Sequence, residues 1–374
     1  MSIVGAAVVP NFDGHIQLLT EGPNGEHIHV YVIDGERNDE PPRELGTLPY
    51  VSSTAFVHRF MEPFDGPLAA LRTVQGSKWC ASRFRPLAER HARESLARNP
   101  VALALLPPPV AAYVAGTLEL GALLASLPAD VQRPFVERTL VPLWHESVIR
   151  QFSVAGEHGT LLHTRLERYF IGEHTLDDMA EFARTGAPDG SGGPAREYDH
   201  FIAFMREWFV PRGARFFRAE LKIYDPRLRL CGATDLLLHD PDYANDGTHV
   251  ILIDFKRVYG MTTAELATWG VRCKPPLSHL HECKFVGHAL QQNMYRQVIE
   301  DNSRLIVTRI YLLVMHPENE TYLLLEVPDM RAEIKAIFRV REAEVAAARA
   351  AADDALCAAL CEAEAAHARS RVGS

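Results

Sequence analysis

Apolar and polar positions run along the chain in patterns that predict three strands near its middle. Residues 249–258 (His249-Val250-Ile251-Leu252-Ile253-Asp254-Phe255-Lys256-Arg257-Val258) are apolar and β-branched until their end, where a carboxylate and an amine stand two residues apart. Side chains alternate across a strand, so Asp254 and Lys256 share one face while Phe255 takes the other. Residues 228–238 read as the neighbouring strand, with Gly232 at a bend and Asp235 inside an apolar run. A lone acid there is expensive to bury, so the pattern predicts a partner for it. Residues 214–225 read as a further strand carrying Glu220. Near the start, 16–19 and 27–33 flank Gly22-Pro23-Asn24-Gly25, which predicts a peripheral hairpin followed by a charged, proline-containing linker at 37–43. Near the end, 309–315 and 321–327 predict a closing hairpin.

Helical spacing marks the remaining elements. Serines and a threonine at 52–54 cap a helix with Phe56, Val57, Phe60 and Met61 at helical spacing. Residues 66–140 are helical and carry Arg83, Arg85, Arg90, Arg93 and Arg98, which form either a solvated face or phosphate contacts. A helix opening at Leu143-Trp144-His145 runs on through Gly159. It puts His163 and Glu167 on one face beside a stripe of Leu162, Leu166 and Phe170. A glycine-rich loop at 186–197 precedes a helix near 198–209 with Phe201, Phe204, Met205 and Trp208 inward. Thr262-Thr263-Ala264-Glu265 is a capping box for a short helix ending near Gly270. Residues 287–300 form a helix with Leu290, Met294 and Val298 inward and Gln291 and Tyr295 on another side. From Met330 an alanine-rich helix extends to about Ala368, too apolar on one side to be free.

At 374 residues and 47% hydrophobic, the chain can bury one large core or two modest ones. The reading is an N-terminal hairpin and linker (1–48), a main domain (49–342) with a helical insertion at about 85–140, and a C-terminal helix and tail (343–374). A formal charge of -9 argues against coating nucleic acid by bulk charge and leaves room for a local basic groove. Six cysteines without framework spacing, no secretory leader pattern and no membrane-length apolar run predict a soluble, intracellular protein with no membrane partner. No GxxxxGK[ST] occurs, so the chain carries no motor of its own.

Hydrolysing a phosphodiester requires an activated water, charge relief at phosphorus and a stabilised leaving oxygen, all of which a divalent cation can supply. Carboxylates suit Mg²⁺ or Mn²⁺, and an added imidazole favours Mn²⁺. An Asp-x-Lys pair alone is commonplace, whereas an ordered set is not. In order stand Gly159-Thr160-Leu161-Leu162-His163-Thr164-Arg165-Leu166-Glu167, Glu220, Gly232-Ala233-Thr234-Asp235, Asp254-Phe255-Lys256 and Gln291-Gln292-Asn293-Met294-Tyr295. This set resembles the PD-(D/E)xK nuclease superfamily. Its GTxxHxxxE and QxxxY motifs narrow the resemblance to the RecB-like exonuclease branch, which includes the CRISPR-adaptation exonucleases. The resemblance covers residues 50–340. It is closest to stand-alone members from large DNA viruses, in which a segment like Leu280-His281-Glu282-Cys283-Lys284-Phe285 precedes the QxxxY helix.

The resemblance implies an α/β, restriction-endonuclease-like core: a mixed central sheet flanked by helices, with the site where the acid-bearing strands splay. It implies that His163, Asp235, Asp254 and the Phe255 carbonyl hold Mg²⁺ or Mn²⁺, that Lys256 positions or deprotonates water, and that Glu220 is a supporting acid. Glu167 would orient His163 or an arginine, Gln291 would brace the metal-ligand loop, and Tyr295 would contact a phosphate or the lysine. Iron–sulfur members of the branch need more cysteines after QxxxY than Cys357 and Cys361, so no cluster is expected. The expected activity is DNA hydrolysis, exonucleolytic by resemblance, in recombination, repair or replication, on single- or double-stranded ends and alongside a separate helicase or recombinase. The expected compartment is cytoplasm or nucleus, that of the host if the protein is viral. Arg215, Arg218, Lys222, Arg257, Arg272 and Lys274 are the candidate DNA-binding groove. The rivals are a cap-snatching RNA endonuclease and a catalytically silent nucleic-acid-binding scaffold.

Overall fold

The computed structural model describes residues 9, 11–21, 27–44, 46–98, 107–187, 193–243, 247–261 and 271–372. The expected turn at 22–25, the capping box at 262–265 with its helix, and Gly190 and Gly192 lie outside these residues. In chain order the first elements are β1 (Ile16–Glu21), β2 (His27–Ile33), β3 (Glu36–Arg37), β4 (Val51–Ser52) and α1 (Ser53–His58). Then follow α2 (Gly66–Gln75), α3 (Arg85–Ala97), α4 (Pro108–Val114), α5 (Leu120–Ser126), α6 (Ala129–Phe135), α7 (Val141–Phe170), α8 (Leu176–Thr185) and α9 (Arg196–Phe204). The last are β5 (Arg215–Asp225), β6 (Leu230–His239), β7 (His249–Lys256), α10 (Lys284–Asn302), β8 (Ile306–Val314), β9 (Leu323–Glu326) and α11 (Arg331–Val372). No helix among the described residues is long and apolar enough to cross a membrane.

The chain forms two compact units, one of residues 1–62 with 161–374 and the other of residues 63–160. The second unit contains the helical insertion expected at 85–140. Trp79, Tyr113, Leu123, Leu140, Trp144 and Val148 form its own apolar core. Three of the five arginines singled out there stand with acids, Arg85 with Glu89, Arg90 with Glu94 and Arg93 with Glu119.

The first unit is built on a mixed six-stranded sheet in the order β4-β6-β7-β8-β9, with β5 paired to β6. It has the α/β architecture expected. β4 with β6 and β7 with β8 are parallel, and the remaining pairs are antiparallel. β7 shows why an unbroken apolar run becomes a buried strand. Val250 and Leu252 pack with α10 and α11 residues such as Leu290, Met294 and Ile337 on one face. Ile251, Ile253 and Phe255 pack on the other face with Leu162, Leu166 and Phe170 of α7 and Phe201 and Phe204 of α9.

The sheet forks along β6. β5 pairs along one edge, from Leu230 to His239. A strand has two edges, so β4, at Leu230 and Cys231, and β7, from Leu236 to His239, must share the other. Residues 232–235 therefore have no strand partner on that edge among the described residues, and this is where Gly232 and Asp235 stand.

The N-terminal hairpin is not peripheral. β1 and β2 pair antiparallel, and Ile16, Tyr31 and Ile33 bury themselves against Tyr50 and Cys231 of the sheet. Arg37, expected in a linker, is in β3. α11 buries Ile334, Ile337, Phe338, Arg341 and Val345, while Leu356 and Leu360 farther along are exposed.

Candidate active site

The β6–β7 ladder ends at the pair Leu236–Ile253. One step beyond, Asp235 Oδ2 accepts the Phe255 backbone N–H at 2.6 Å, so a carboxylate takes the place of a strand carbonyl and the strands part around it. The same oxygen lies 3.3 Å from His163 Nδ1 on α7. The His163 ring stands edge-on to Phe255, with centroids 5.9 Å apart. These are the partners a buried acid at 235 requires. Lys256 C=O accepts the Met315 N–H on the β8 side at 2.7 Å. Successive carbonyls alternate along a strand, so the Phe255 carbonyl faces the fork.

Glu220 reaches the fork through its backbone. The β5–β6 register passes from Ala219–Leu236 to Leu221–Thr234, leaving Glu220 across from Asp235. Its φ is +48°, a left-handed conformation that costs a non-glycine residue about 1–2 kcal/mol. The conformation reverses the alternation, so that Ala219 packs on the α7 face and Leu221 on the α10 face. His163, Glu220 and Asp235 each present a ligand atom, all within 4.8 Å of one another. An imidazole and two carboxylates at that spacing could hold a divalent cation.

Asp254 and Lys256 share the α10 face of β7, as the alternation requires. Asp254 is 3% exposed. Its Oδ2 lies 2.5 Å from Lys256 Nζ, and its Oδ1 accepts from Gln292 Nε2 at 2.8 Å. Asp254 is thus tied to the lysine and stands outside the His163–Glu220–Asp235 group; Glu220, expected as a supporting acid that binds a second metal or holds the water network, stands inside it.

The electrostatics separate the three acids. Burial, then Asp235 and Glu167, push Glu220 up to about 8. Burial also pushes Asp254 up to about 6, against the pull of Lys256. Burial acts the same way on Asp235, but His163 and Lys256 outweigh it and hold that carboxyl below its ordinary range. Burial opposes the charged forms of His163 and Lys256; Asp235 and Asp254 respectively outweigh it and raise both. At neutral pH the centre therefore has one firmly ionised acid, a protonated lysine and a carboxyl at 220 that favours its proton.

Other expectations are redistributed. Gln291 donates to Thr54 Oγ1 at 2.6 Å and to the Tyr295 hydroxyl at 3.0 Å, while its neighbour Gln292 braces Asp254. Asp235, not Glu167, is the hydrogen-bonding partner at His163 Nδ1, and the charge of Glu167 bears on Glu220. Tyr295 is buried with its ring over Gly232: a Cβ there would stand 2.5 Å from Tyr295 Cε1 and 2.8 Å from Ser53 Oγ. Gly232 is a glycine because the ring and the hydroxyl occupy that space.

Four of the six groove cations are engaged by groups of the protein itself. Arg257 is out of phase with Lys256, and its Nε lies 2.9 Å from Glu197 Oε1 in a pair only 10% and 2% exposed. Buried in that pair, it is withdrawn from any DNA surface. Arg218 pairs with Asp13, Arg272 donates to the His279 carbonyl, and Lys274 lies 3.5 Å from Glu62. Arg215 and Lys222 have no ion pair among the described residues, but they stand about 23 Å apart along β5.

Three contributors escaped the sequence reading. Gln292 sits on a helix buried nearly all round, so periodicity does not single it out. Tyr31, beside His29 Nε2 at 3.2 Å, is raised far above its ordinary range by burial and then by Cys231, Glu220 and Asp235, which places the hairpin beside the acids. The alternation in 27–33 does put His29, Tyr31 and Ile33 on one face, a signal that was available. His288 is the third: burial, then Lys256, Lys284 and His58, push it down to about 3. No protein-family model matches the chain, and no curated protein matches it in sequence.

Proposed function

We propose that the chain is a divalent-metal-dependent deoxyribonuclease. The observation that carries this reading is the fork itself, where His163, Glu220 and Asp235 converge beside the Asp254–Lys256 pair. The donor set fits Mg²⁺ or Mn²⁺: two hard carboxylates, one imidazole and a carbonyl directed to the same edge. When bound, the cation supplies an activated water and charge relief on the phosphoryl oxygens. Lys256, held protonated by Asp254 and Asp235, donates to a non-bridging phosphoryl oxygen and neutralises charge that develops there. Asp254, titrating near 6, is placed to take a proton close to neutral pH, and Gln292 keeps its carboxylate aimed. His163 and Asp235 fix each other's orientation, and the Phe255 N–H locks Asp235 to β7. The exonucleolytic mode and a role in recombination, repair or replication follow from the resemblance of the motifs.

The test is cleavage of matched linear and circular DNA, single- and double-stranded, and of RNA, in Mn²⁺, Mg²⁺ or EDTA. Wild type is set beside Asp254→Ala and Lys256→Ala. Metal-dependent loss of linear DNA alone, abolished in both variants, is the expected result. RNA cleavage in place of DNA would favour the cap-snatching type, and an inert wild type under every metal would leave a scaffold.

A further inference from the structure

α1 and α10 cross beside the Asp254–Lys256 pair. Thr54 meets Gln291 through a hydrogen bond, and Met61 packs on Gly287, where its Sδ lies 3.1 Å from the place of a Cβ. Residue 58 falls between 54 and 61 on one segment, as 288 falls between 287 and 291 on the other. His58 is therefore brought opposite His288. Along α10, Lys284, His288, Gln292 and Tyr295 recur at intervals of four and three, which is one helix face. Gln292 on that face bonds Asp254, the partner of Lys256. Lys284 and His58 are exposed and His288 is half-buried. None of these three side chains has a hydrogen-bond or ion-pair partner among the described residues. Lys284 is a cation with no ion-paired acid among the described residues, and the two imidazoles beside it offer N–H donors, a set that suits an anion.

We propose that His58, Lys284 and His288 form a phosphate-binding subsite for the DNA strand, next to the scissile position. This deepens the nuclease reading and rests on it. The subsite replaces the six-cation groove, whose members are dispersed or paired. A strand lying across it would put one backbone phosphate between α1 and α10 while the neighbouring phosphate meets Lys256. Lys284 contributes charge, and the two imidazoles contribute directed N–H donors.

The experiment is fluorescence anisotropy of a labelled single-stranded DNA oligonucleotide in EDTA over a salt series. Wild type is compared with Lys284→Ala, His58→Ala, His288→Ala and, as a control at an exposed position near the start of α11, Lys335→Ala. Each of the first three raises Kd several-fold. Lys284→Ala also lowers the slope of log K against log salt by about 1, while Lys335→Ala changes neither. His288→Asn, which keeps a donor of similar size, retains more affinity than His288→Ala and stands in for it if the alanine variant does not fold. Binding by wild type with all three variants matching Lys335→Ala would overturn the subsite and leave the nuclease reading standing. A wild type that neither binds nor cleaves DNA would overturn both.

Discussion

Gln292→Leu isolates one hydrogen bond at the centre of the site. Gln292 is fully buried, and its Nε2 donates to Asp254 Oδ1 at 2.8 Å. Leucine keeps the volume and removes the donor, leaving a buried carboxylate oxygen short of a partner. A hydrogen bond to a charged group contributes about 1.5–3 kcal/mol, and a neutral, more exposed one about 0.5–1.5 kcal/mol. Gln291→Leu, which loses the bonds to exposed Thr54 and to the Tyr295 hydroxyl, belongs to the second class. At about 1–2 °C per kcal/mol for a chain of 374 residues, Gln292→Leu lowers Tm by roughly 2–6 °C and Gln291→Leu by roughly 0.5–3 °C. The sharper discriminator is pH. The donor favours the ionised form of Asp254, which burial has already raised to about 6, so its loss drives that carboxyl higher still. The Gln292→Leu penalty is therefore smallest below about pH 6, where the carboxyl is protonated in both proteins, and grows as pH rises above it. Thermal unfolding by circular dichroism in EDTA, from about pH 4 to pH 9, reads this directly. Equal penalties for the two variants, or a Gln292→Leu penalty that does not vary with pH, would refute the reasoning.

Three more outcomes follow from single contacts. Gly232→Ala forces a Cβ against the Tyr295 ring and Ser53 Oγ and costs about 1–3 kcal/mol, read as a lowered Tm with an altered near-ultraviolet tyrosine signal; a neutral substitution would mean the ring does not lie there. Glu220 has a raised folded value, so its contribution to stability is complete below its ordinary value of 4.5 and is lost as pH rises through about 8. Complete sealing would make that loss roughly 5 kcal/mol, and solvent at the fork reduces it to about 1–3 kcal/mol. In EDTA, Glu220→Gln is thus more stable than wild type at about pH 8.5 and equal to it near pH 4; parallel unfolding curves at both would remove the argument. Arg257→Ala leaves Glu197 charged and buried and destabilises by about 3–5 kcal/mol, while Arg257→Met with Glu197→Gln recovers much of the loss. A folded Arg257→Ala that only weakens DNA binding would restore Arg257 to a groove.

What the chain announces locally and what it leaves to docking separate cleanly at this site. The strands β5, β6 and β7, and the shared face of Asp254 and Lys256, follow from alternation, a property of neighbouring residues. Arg257 was legible by the same rule: one residue past Lys256, it must point to the opposite face, where Glu197 of α9 waits. Placing Arg257 in a DNA groove beside the active site runs against that rule. Glu220 is different in kind, because a left-handed residue inside a strand reverses the phase of everything after it, and no hydrophobic pattern marks that reversal. Extrapolated alternation places Arg218, Glu220 and Lys222 in one row; the reversal at 220 breaks the row and with it the line of cations along β5. Gln291 and Gln292 are different again. A helix turns about 100° per residue, so either glutamine can face β7, and only the crossing of α1 with α10 decides that 292 takes Asp254 while 291 takes Thr54. The residues hardest to read were those whose role depends on a second element, such as Tyr31 through the hairpin and His288 through α1. Such partners carry no signal at their own positions in the chain, since a tyrosine or histidine among apolar neighbours reads as core until the opposing charges are in place.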